Sequence, residues 1–321
     1  MVAKRNNKTS PIGWIGGKTK LAPTIISCLY DHNVYVEIFG GSMVVFFNKQ
    51  PSKIEIVNDI HNELVNLMKV LSGTYFDKSI KDEFVQYVME MPSSRSLFVD
   101  WQRCSDDDLS KMSPAQRAFR YYYCIKNGFS SLVSGGYASS PLSRSRYNMN
   151  TDFEQFSSRF KKSNAQIECM DFRDLITKYS NDRAEVTFFA DPPYFVADNT
   201  NYYDHVFTPK DHEDLKASCD AIHKNGNKFL ITYDDHNGVI DLYKDYYIYR
   251  TDPLVYSASE ESSERKNIKC ELFITNYNLC DMLINKFAEF GHKKKIPRIY
   301  TKADLNDRDI NIPECVGLHR I

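Results

Sequence analysis

The sequence predicts an α/β fold: a parallel sheet with helices on its faces, interrupted once by a mainly helical insertion. Three observations carry this. An apolar run ends in a glycine turn, a helix-like stretch follows, and a β-branched run closes on an acid, which is the order of a βαβ unit. Strand alternation then lapses near Ser72. It resumes at Gln166, and one of the strands that follow is the apolar run Val186 to Ala190.

In order, Val34 to Phe39 reads as a buried strand ending in Gly40-Gly41-Ser42. Met43 to Asn48 reads as a helix start that Pro51 terminates. Ile54 to Val57 is a second strand, closed by Asn58-Asp59, and His61 to Leu71 carries Leu64, Leu67, Met68 and Leu71 at helical spacing. Helical stretches run through Phe84 to Met91 and Ala115 to Lys126, and a Gly/Ser/Tyr/Arg segment spans Gly128 to Asn150. Strands are expected at Gln166 to Cys169, Val186 to Ala190, Lys228 to Tyr233, Tyr246 to Arg250 and Cys270 to Tyr277, then a helix over Asp281 to Phe290. The expected organisation is a discontinuous domain of residues 1–71 and 164–291, an inserted domain of residues 72–163, and a tail, 292–321, with weak periodicity. An insertion of that length favours a core of its own over a surface excursion.

Composition bounds the function. The hydrophobic share is 42% and the charged share 26%, both near globular averages. A chain of 321 residues can bury an ordinary core. Its 21 Tyr and 20 Phe are explained first by core packing, with ligand-facing rings the rarer use. The net charge of −1 argues against a uniformly basic nucleic-acid coat and leaves room for a local basic face. Such a face is suggested between Lys111 and Lys162, where nine Lys or Arg stand against two acids. The eight Cys contain no C-x-x-C pair and the eight His lack metal-ligand spacing, so no metal is expected. Asp211-His212-Glu213-Asp214 reads as the start of a solvated helix. The polar, basic first ten residues have no apolar signal core, and no run is long enough to span a membrane. A reducing, cytoplasmic setting without a membrane partner is expected.

The strongest chemical signal is Asp191-Pro192-Pro193-Tyr194, directly after the strand Val186 to Ala190. Ligands of open α/β sheets bind outside the carboxyl ends of strands. Two consecutive prolines fix φ and remove two N–H donors while leaving their carbonyls able to accept. This set suits the exocyclic amine of a base, whose lone pair is delocalised into the ring. The Asp191 carboxylate and the Pro192 carbonyl can take its two hydrogens and turn the lone pair toward an incoming methyl group. Tyr194 can stack on the base, which must first leave the duplex. These residues suit adenine N6 and cytosine N4 alike.

Gly40-Gly41-Ser42 is a candidate nucleotide loop, since glycines allow close backbone approach and a helix start offers N–H groups. Asp59 ends the next strand, where an acid typically binds a ribose hydroxyl pair, and Asn58 or Asp59 could cap the following helix while the other binds. Gly13 to Thr19 is not a phosphate loop, because the pattern needs glycine where Ile12 stands. Lys18 beside that turn can still bind a carboxylate. Asp171-Phe172, after the strand Gln166 to Cys169, either lines an adenine or caps a helix. Arg117, Arg120, Lys126, Arg144 and Arg146, with Tyr137 and Tyr147 interleaved, are candidate phosphate and base contacts, or else a solvated helix face with a flexible loop.

Together these segments resemble the Dam-like (D12 class) family of DNA adenine-N6 methyltransferases, from Gly13 to Tyr277. Trp14-Ile15-Gly16-Gly17-Lys18 is similar to the family's W-x-G-G-K. Val36-Glu37-Ile38-Phe39-Gly40-Gly41-Ser42 is similar to a shortened V-E-P-F-x-G-x-G-S without its proline. Asn58 to Asn62 resembles the D-I-N motif, Asn127-Gly128-Phe129 the N-G-hydrophobic element of the DNA-contacting domain, and Asp191 to Tyr194 the catalytic tetrapeptide. Arg265-Lys266 followed by Glu271-Leu272-Phe273 resembles its late R-x and E-L-L elements.

The resemblance implies a Rossmann-like class I methyltransferase sheet with an inserted, mainly helical target-recognition domain at residues 72–163. It implies methyl transfer from S-adenosylmethionine to N6 of adenine in double-stranded DNA by base flipping, in the cytoplasm of a bacterial or phage-infected cell, with a cognate restriction enzyme as an open partner. Asp191, Pro192 and Tyr194 are the expected catalytic residues. Trp14, Lys18, Glu37, Phe39, Gly40, Gly41, Asp59, Asp171, Phe172 and Asp191 are the expected donor contacts. Arg117, Arg120, Lys126, Asn127, Arg144, Arg146 and Tyr147 are the expected DNA contacts. Cytosine-N4 methylation and a catalytically silent DNA-binding protein of the same fold are the alternatives.

Overall fold

A computed structural model describes residues 10–14, 16–131, 133–138, 152–181, 185–195, 206–255, 268–290 and 318–320. The elements run α1 (Ala22–Cys28), β1 (Val34–Glu37), α2 (Val44–Asn48), β2 (Ile54–Asn58) and α3 (Asn62–Ser72). Next come α4 (Lys78–Glu90), α5 (Arg95–Gln102), α6 (Asp106–Lys111), α7 (Pro114–Asn127), a 3-10 turn (Phe129–Ser131) and α8 (Phe153–Lys162). The rest is β3 (Gln166–Glu168), α9 (Phe172–Ser180), β4 (Val186–Ala190), α10 (Pro209–Lys224), β5 (Lys228–Asp234), α11 (Asn237–Leu242), β6 (Tyr247–Thr251), β7 (Leu254–Val255), β8 (Ile268–Lys269), β9 (Glu271–Thr275), α12 (Leu279–Phe290) and β10 (Leu318–Arg320).

The chain divides into two compact units. The first comprises Met1–Ala22, Phe39–Asp171 and Thr200–His205; the second comprises Pro23–Ile38, Phe172–Asn199 and Val206–Ile321.

In the second unit six strands follow the order β10-β6-β9-β5-β4-β1. β1 pairs with β4, and β4 with β5, in parallel. β9 pairs antiparallel with both β5 and β6. Thus β5 and β6 run the same way with a reversed strand between them, a direction that the expectation of a parallel sheet does not specify. Strand direction is set by how the chain returns to the sheet, which side-chain periodicity does not record. β4 is buried along its whole length and β5 at five central positions, as expected for strands covered on both faces. The tail supplies β10, antiparallel to β6, an edge strand that its weak periodicity does not predict.

In the first unit β2 and β3 pair in parallel beside the helices α3 to α8. Here caps decide boundaries. Ser113 and Gln116 form a reciprocal capping box with Pro114 at the first helical position, so α7 starts where such a signature should start it. α5 and α6 are found where no clear periodicity announces them, and α8 carries Phe153, Phe156 and Phe160 at helical spacing, a signal the sequence reading passes over. Their N-caps are Ser94, Ser105 and Asp152. α3 begins after His61, whose Nδ1 accepts from the Leu64 amide at 3.1 Å. The cap is therefore His61 rather than Asn58 or Asp59. Tyr35, Tyr122, Tyr123, Tyr233, Tyr243 and Tyr249 are wholly buried, so core packing claims much of the tyrosine excess.

One buried charge cluster joins α8 to β2 in the first unit. The Arg159 guanidinium donates to Glu55 Oε2 at 2.6 Å and Oε1 at 2.9 Å, Lys49 pairs with the same carboxylate, and all three residues are at most 5% exposed. Burial by itself raises the Glu55 carboxyl, but its bonds to Arg159 and the charges of Lys49 and Arg159 outweigh that and hold it below its ordinary value. A buried pair broken on one side leaves an uncompensated charge, which costs about 3–5 kcal/mol. Glu55→Ala should therefore lower the unfolding free energy by about that amount in urea. Because the folded carboxyl titrates below its unfolded value, the wild-type contribution is full above the ordinary value of 4.5 and fades as pH falls below it. The penalty of Glu55→Ala should shrink over the same acid range.

Candidate active site

The candidate residues fall into two groups, one in each unit. In the first unit, glycines fold the loops that follow Gly13 and β1. The Gly17 amide donates to the Trp14 carbonyl at 3.1 Å, Gly16 has φ +73°, and Lys18 is 4% exposed with Nζ 3.2 Å from the Gly16 carbonyl. The Gly40 amide donates to the Asn58 carbonyl at 2.7 Å. Gly41 sits at φ +47°, and its amide donates to Asp59 Oδ2 at 2.8 Å. A Cβ at Gly41 would lie 2.8 Å from Trp14 Nε1, so the indole rests against the glycine turn. Trp14, Gly40, Gly41 and Asp59 are thus brought together.

Asp59 uses both carboxylate oxygens on backbone: Oδ2 on Gly41 and Oδ1 on the His61 amide at 2.9 Å. It staples the loop after β1 to the loop after β2. Each oxygen keeps a second acceptor direction for a ligand. Asn58, to which the sequence assigns only a cap, bonds the Met170 amide and carbonyl, both at 3.0 Å. That two-point bond fixes Asp171 next along the chain. Glu37, in the second unit, is 2% exposed and accepts from the Tyr35 hydroxyl at 2.8 Å. Phe39 is partly exposed, and Phe172 is buried at the start of α9 with its ring 5.7 Å from that of Phe207.

The second group lies at one edge of the second unit's sheet. β4 and β5 are parallel, so Asp191, following β4, and Asp234, ending β5, share that edge. β9 is reversed, so its first residue, Glu271, pairs with Asp234 there. The Thr232 hydroxyl donates to Asp191 Oδ1 at 2.8 Å. The Tyr194 hydroxyl donates to Glu271 Oε1 at 2.5 Å, and the Phe195 amide to Asp234 Oδ1 at 3.1 Å. Burial, with the Glu271, Asp191 and Asp234 carboxylates, drives the Tyr194 phenol far above its usual value, so it stays protonated. The loop's next ring, Phe195, lies 5.2 Å from His236 and 4.9 Å from His212.

His212 is 2% exposed and bonds the Tyr233 hydroxyl at 2.7 Å, which corrects the solvated-helix expectation at that position. Burial lowers its pKa. The helix start is right, but one residue of the four faces the core.

The expected DNA contacts fare unevenly. Arg144, Arg146 and Tyr147 lie outside the described residues, as do Arg265 and Lys266. Arg120 is 7% exposed and donates to the Trp101 carbonyl at 2.7 Å. Arg117 pairs with Glu63, and Lys126 is partly buried with Nζ 5.3 Å from the Tyr122 ring centroid. Asn127 is 3% exposed and accepts from Ser93 Oγ at 2.6 Å. Arg120 and Asn127 serve the packing of the first unit, Arg117 and Lys126 are partly exposed, and Phe129, two residues beyond Asn127, is 54% exposed.

The family of D12 class N6 adenine-specific DNA methyltransferases matches this chain over residues 14–255, well over half its length. The chain belongs to that family. It is a DNA methyltransferase acting on adenine N6, and the family implies S-adenosylmethionine as methyl donor and DNA as substrate. The mixed sheet is consistent with a class I methyltransferase fold. No individual curated protein matches the chain significantly. Among the described residues no helix is long and apolar enough to cross a membrane.

The glycine turn yields a direct test. Gly41→Ala forces an alanine into left-handed backbone, costing about 1–2 kcal/mol, and sets its Cβ against Trp14. The variant should unfold at lower urea with at least that loss, read by tryptophan fluorescence.

Proposed function

We propose that this enzyme methylates adenine within a specific sequence of double-stranded DNA, on a base turned out of the duplex, with Asp191 and the Pro192 carbonyl as acceptors for the N6 hydrogens. What carries the reading is the setting of Asp191. It follows a fully buried strand, a buried Thr232 hydroxyl orients its carboxylate, and two prolines stiffen the chain beyond it. A carboxylate held before the reaction needs no reorganisation during it. Drawing on both amine hydrogens localises the nitrogen lone pair. The nitrogen attacks the methyl carbon, the carbon–sulfur bond breaks with its electron pair going to sulfur, and the amine passes one proton to the Asp191 carboxylate, which releases it to water. Tyr194 offers its ring to the base and Pro193 keeps the turn rigid.

The donor supplies an electrophilic methyl group on a sulfonium. Trp14, Lys18, Glu37, Phe39, Gly40, Gly41, Asp59, Asp171 and Phe172 are the residues proposed to hold it. Support comes from the glycine cradle, where a single Cβ would meet Trp14, and from Asp59, which ends a strand of the sheet-forming pattern. Residues 72–163 are proposed as the target-recognition region, on a catalytic domain of residues 1–71 and 164–291. Arg120 and Asn127 are engaged within the first unit, so the proposed DNA contacts are Arg117, Lys126, Arg144, Arg146 and Tyr147. A role beside a restriction enzyme in a bacterial or phage-infected cytoplasm fits this activity.

Asp191→Ala should lower transfer of labelled methyl to DNA by at least about 10²-fold, the scale of losing a positioned proton acceptor. Its melting temperature should stay near that of the wild type. Full transfer rates in that variant would refute the mechanism.

A further inference from the structure

We infer that Glu271 is a positioning residue for methyl transfer: it holds the Tyr194 ring in the attitude that receives the target base. This rests on the reading above, which gives Tyr194 the face of the base.

The support is geometric. Tyr194 follows two prolines, so its backbone is stiff, but a tyrosine side chain still has two rotatable bonds. Its hydroxyl donates to Glu271 Oε1 at 2.5 Å, which pins the far end of the ring. The anchor itself has little freedom. Glu271 is 2% exposed, opens β9 opposite Asp234 of β5, and its own amide donates to Thr251 Oγ1 on β6 at 2.9 Å. The Glu271 backbone is thus fixed from both neighbouring strands, and burial restricts its side chain. A bond from a neutral donor to a charged acceptor is about twice as strong as a neutral pair. Burial and the surrounding carboxylates keep the phenolic proton in place, so the tether persists across the enzyme's working pH.

The next residue is secured the same way. The Phe195 amide donates to Asp234, the partner of Glu271 across the strand pair, at 3.1 Å. A Cβ at Gly238 would lie 2.7 Å from Phe195 Cε1, so glycine there makes room for the ring. The segment after Pro193 is therefore moored at successive residues to one antiparallel pair. In the mechanism above, the base must present N6 to the acceptors and to the methyl group at once. A ring free to turn would leave the base misaligned after binding, so losing the tether should act on kcat more than on KM.

The test is a double-mutant cycle on the DNA sequence that the wild-type enzyme methylates. Tyr194→Phe keeps the ring and removes the tether from one side, and Glu271→Leu removes it from the other. Each should lower kcat about tenfold, inside the range for coupled neighbours, with KM for DNA changed less than about twofold. The double variant should be no slower than the slower single one. Glu271→Gln keeps an acceptor and should recover most of the rate. With 2-aminopurine at the target base, both single variants should show the base extruded but brighter than in the wild type, because it stacks less closely. Should Glu271→Leu fail to fold, Glu271→Ala with Tyr194→Phe completes the cycle, and the two should again combine to no more than the slower single loss. If the wild type itself transfers no methyl to DNA, the functional reading fails. If the wild type transfers methyl and the two losses multiply, or neither single variant slows, Glu271 does not act through Tyr194 and the inference is overturned.

Discussion

Glu271 enters the sheet at the edge where Asp234 leaves it, because β9 runs antiparallel to β5. Much of the chemistry at that edge depends on this reversal. β4 and β5 bring Asp191 and Asp234 to the edge by running in parallel. Had β9 run with them, Glu271 would stand at its opposite end, about 13 Å away for a five-residue strand. Tyr194 would then lose the carboxylate its hydroxyl donates to, and a buried phenol without a partner is costly. The reversed strand therefore sets both the acid content of the edge and the attitude of the tyrosine beside Asp191.

The first unit shows a second use of charge. Its basic excess suggests a surface for phosphate, yet cations of this unit, inside that basic stretch and outside it, are engaged by protein partners. Arg159 and Lys49 meet on Glu55, Arg120 reaches the Trp101 carbonyl, and Arg117 pairs with Glu63. Burying Arg159 would be prohibitive without Glu55, and burying Glu55 would be so without its cations. A count of Lys and Arg along the chain therefore overstates the charge left for a nucleic acid. Helix periodicity cannot separate these uses, because a long side chain bridging two elements occupies the same sequence position as one reaching solvent.

The strand runs Val186 to Ala190 and Lys228 to Tyr233 were plain in the sequence, since continuous apolar runs of that length have few other uses. The glycine turn at Gly40-Gly41 and the acid at Asp59 were plain as a pair. Their joint geometry was not: Asp59 bonds the Gly41 amide while His61, not Asp59, caps α3. A histidine accepting at an N-cap has no strong sequence signature beside an Asn-Asp pair that fits the rule better. Likewise α5 and α6 have short apolar faces, and their starts rest on the caps at Ser94 and Ser105, whereas α8 is legible in Phe153, Phe156 and Phe160 and starts at the Asp152 cap. His212 went astray for a related reason. Three acids around it suggest water, and only the fold shows Tyr233 waiting on the other side.

Asp-Pro-Pro-Tyr after an apolar strand, glycines after another and an acid after a third are local facts. They follow from neighbours along the chain and identify amino-methyl transfer with little help from the fold. Which of the 42 acids meets the Tyr194 hydroxyl is not a local fact. Glu271 stands 77 residues away, and Thr232, which orients Asp191, stands 41 residues away. Those partners are joined by strand direction and register, which arise from how the chain returns to the sheet and leave no periodic trace in the residues themselves.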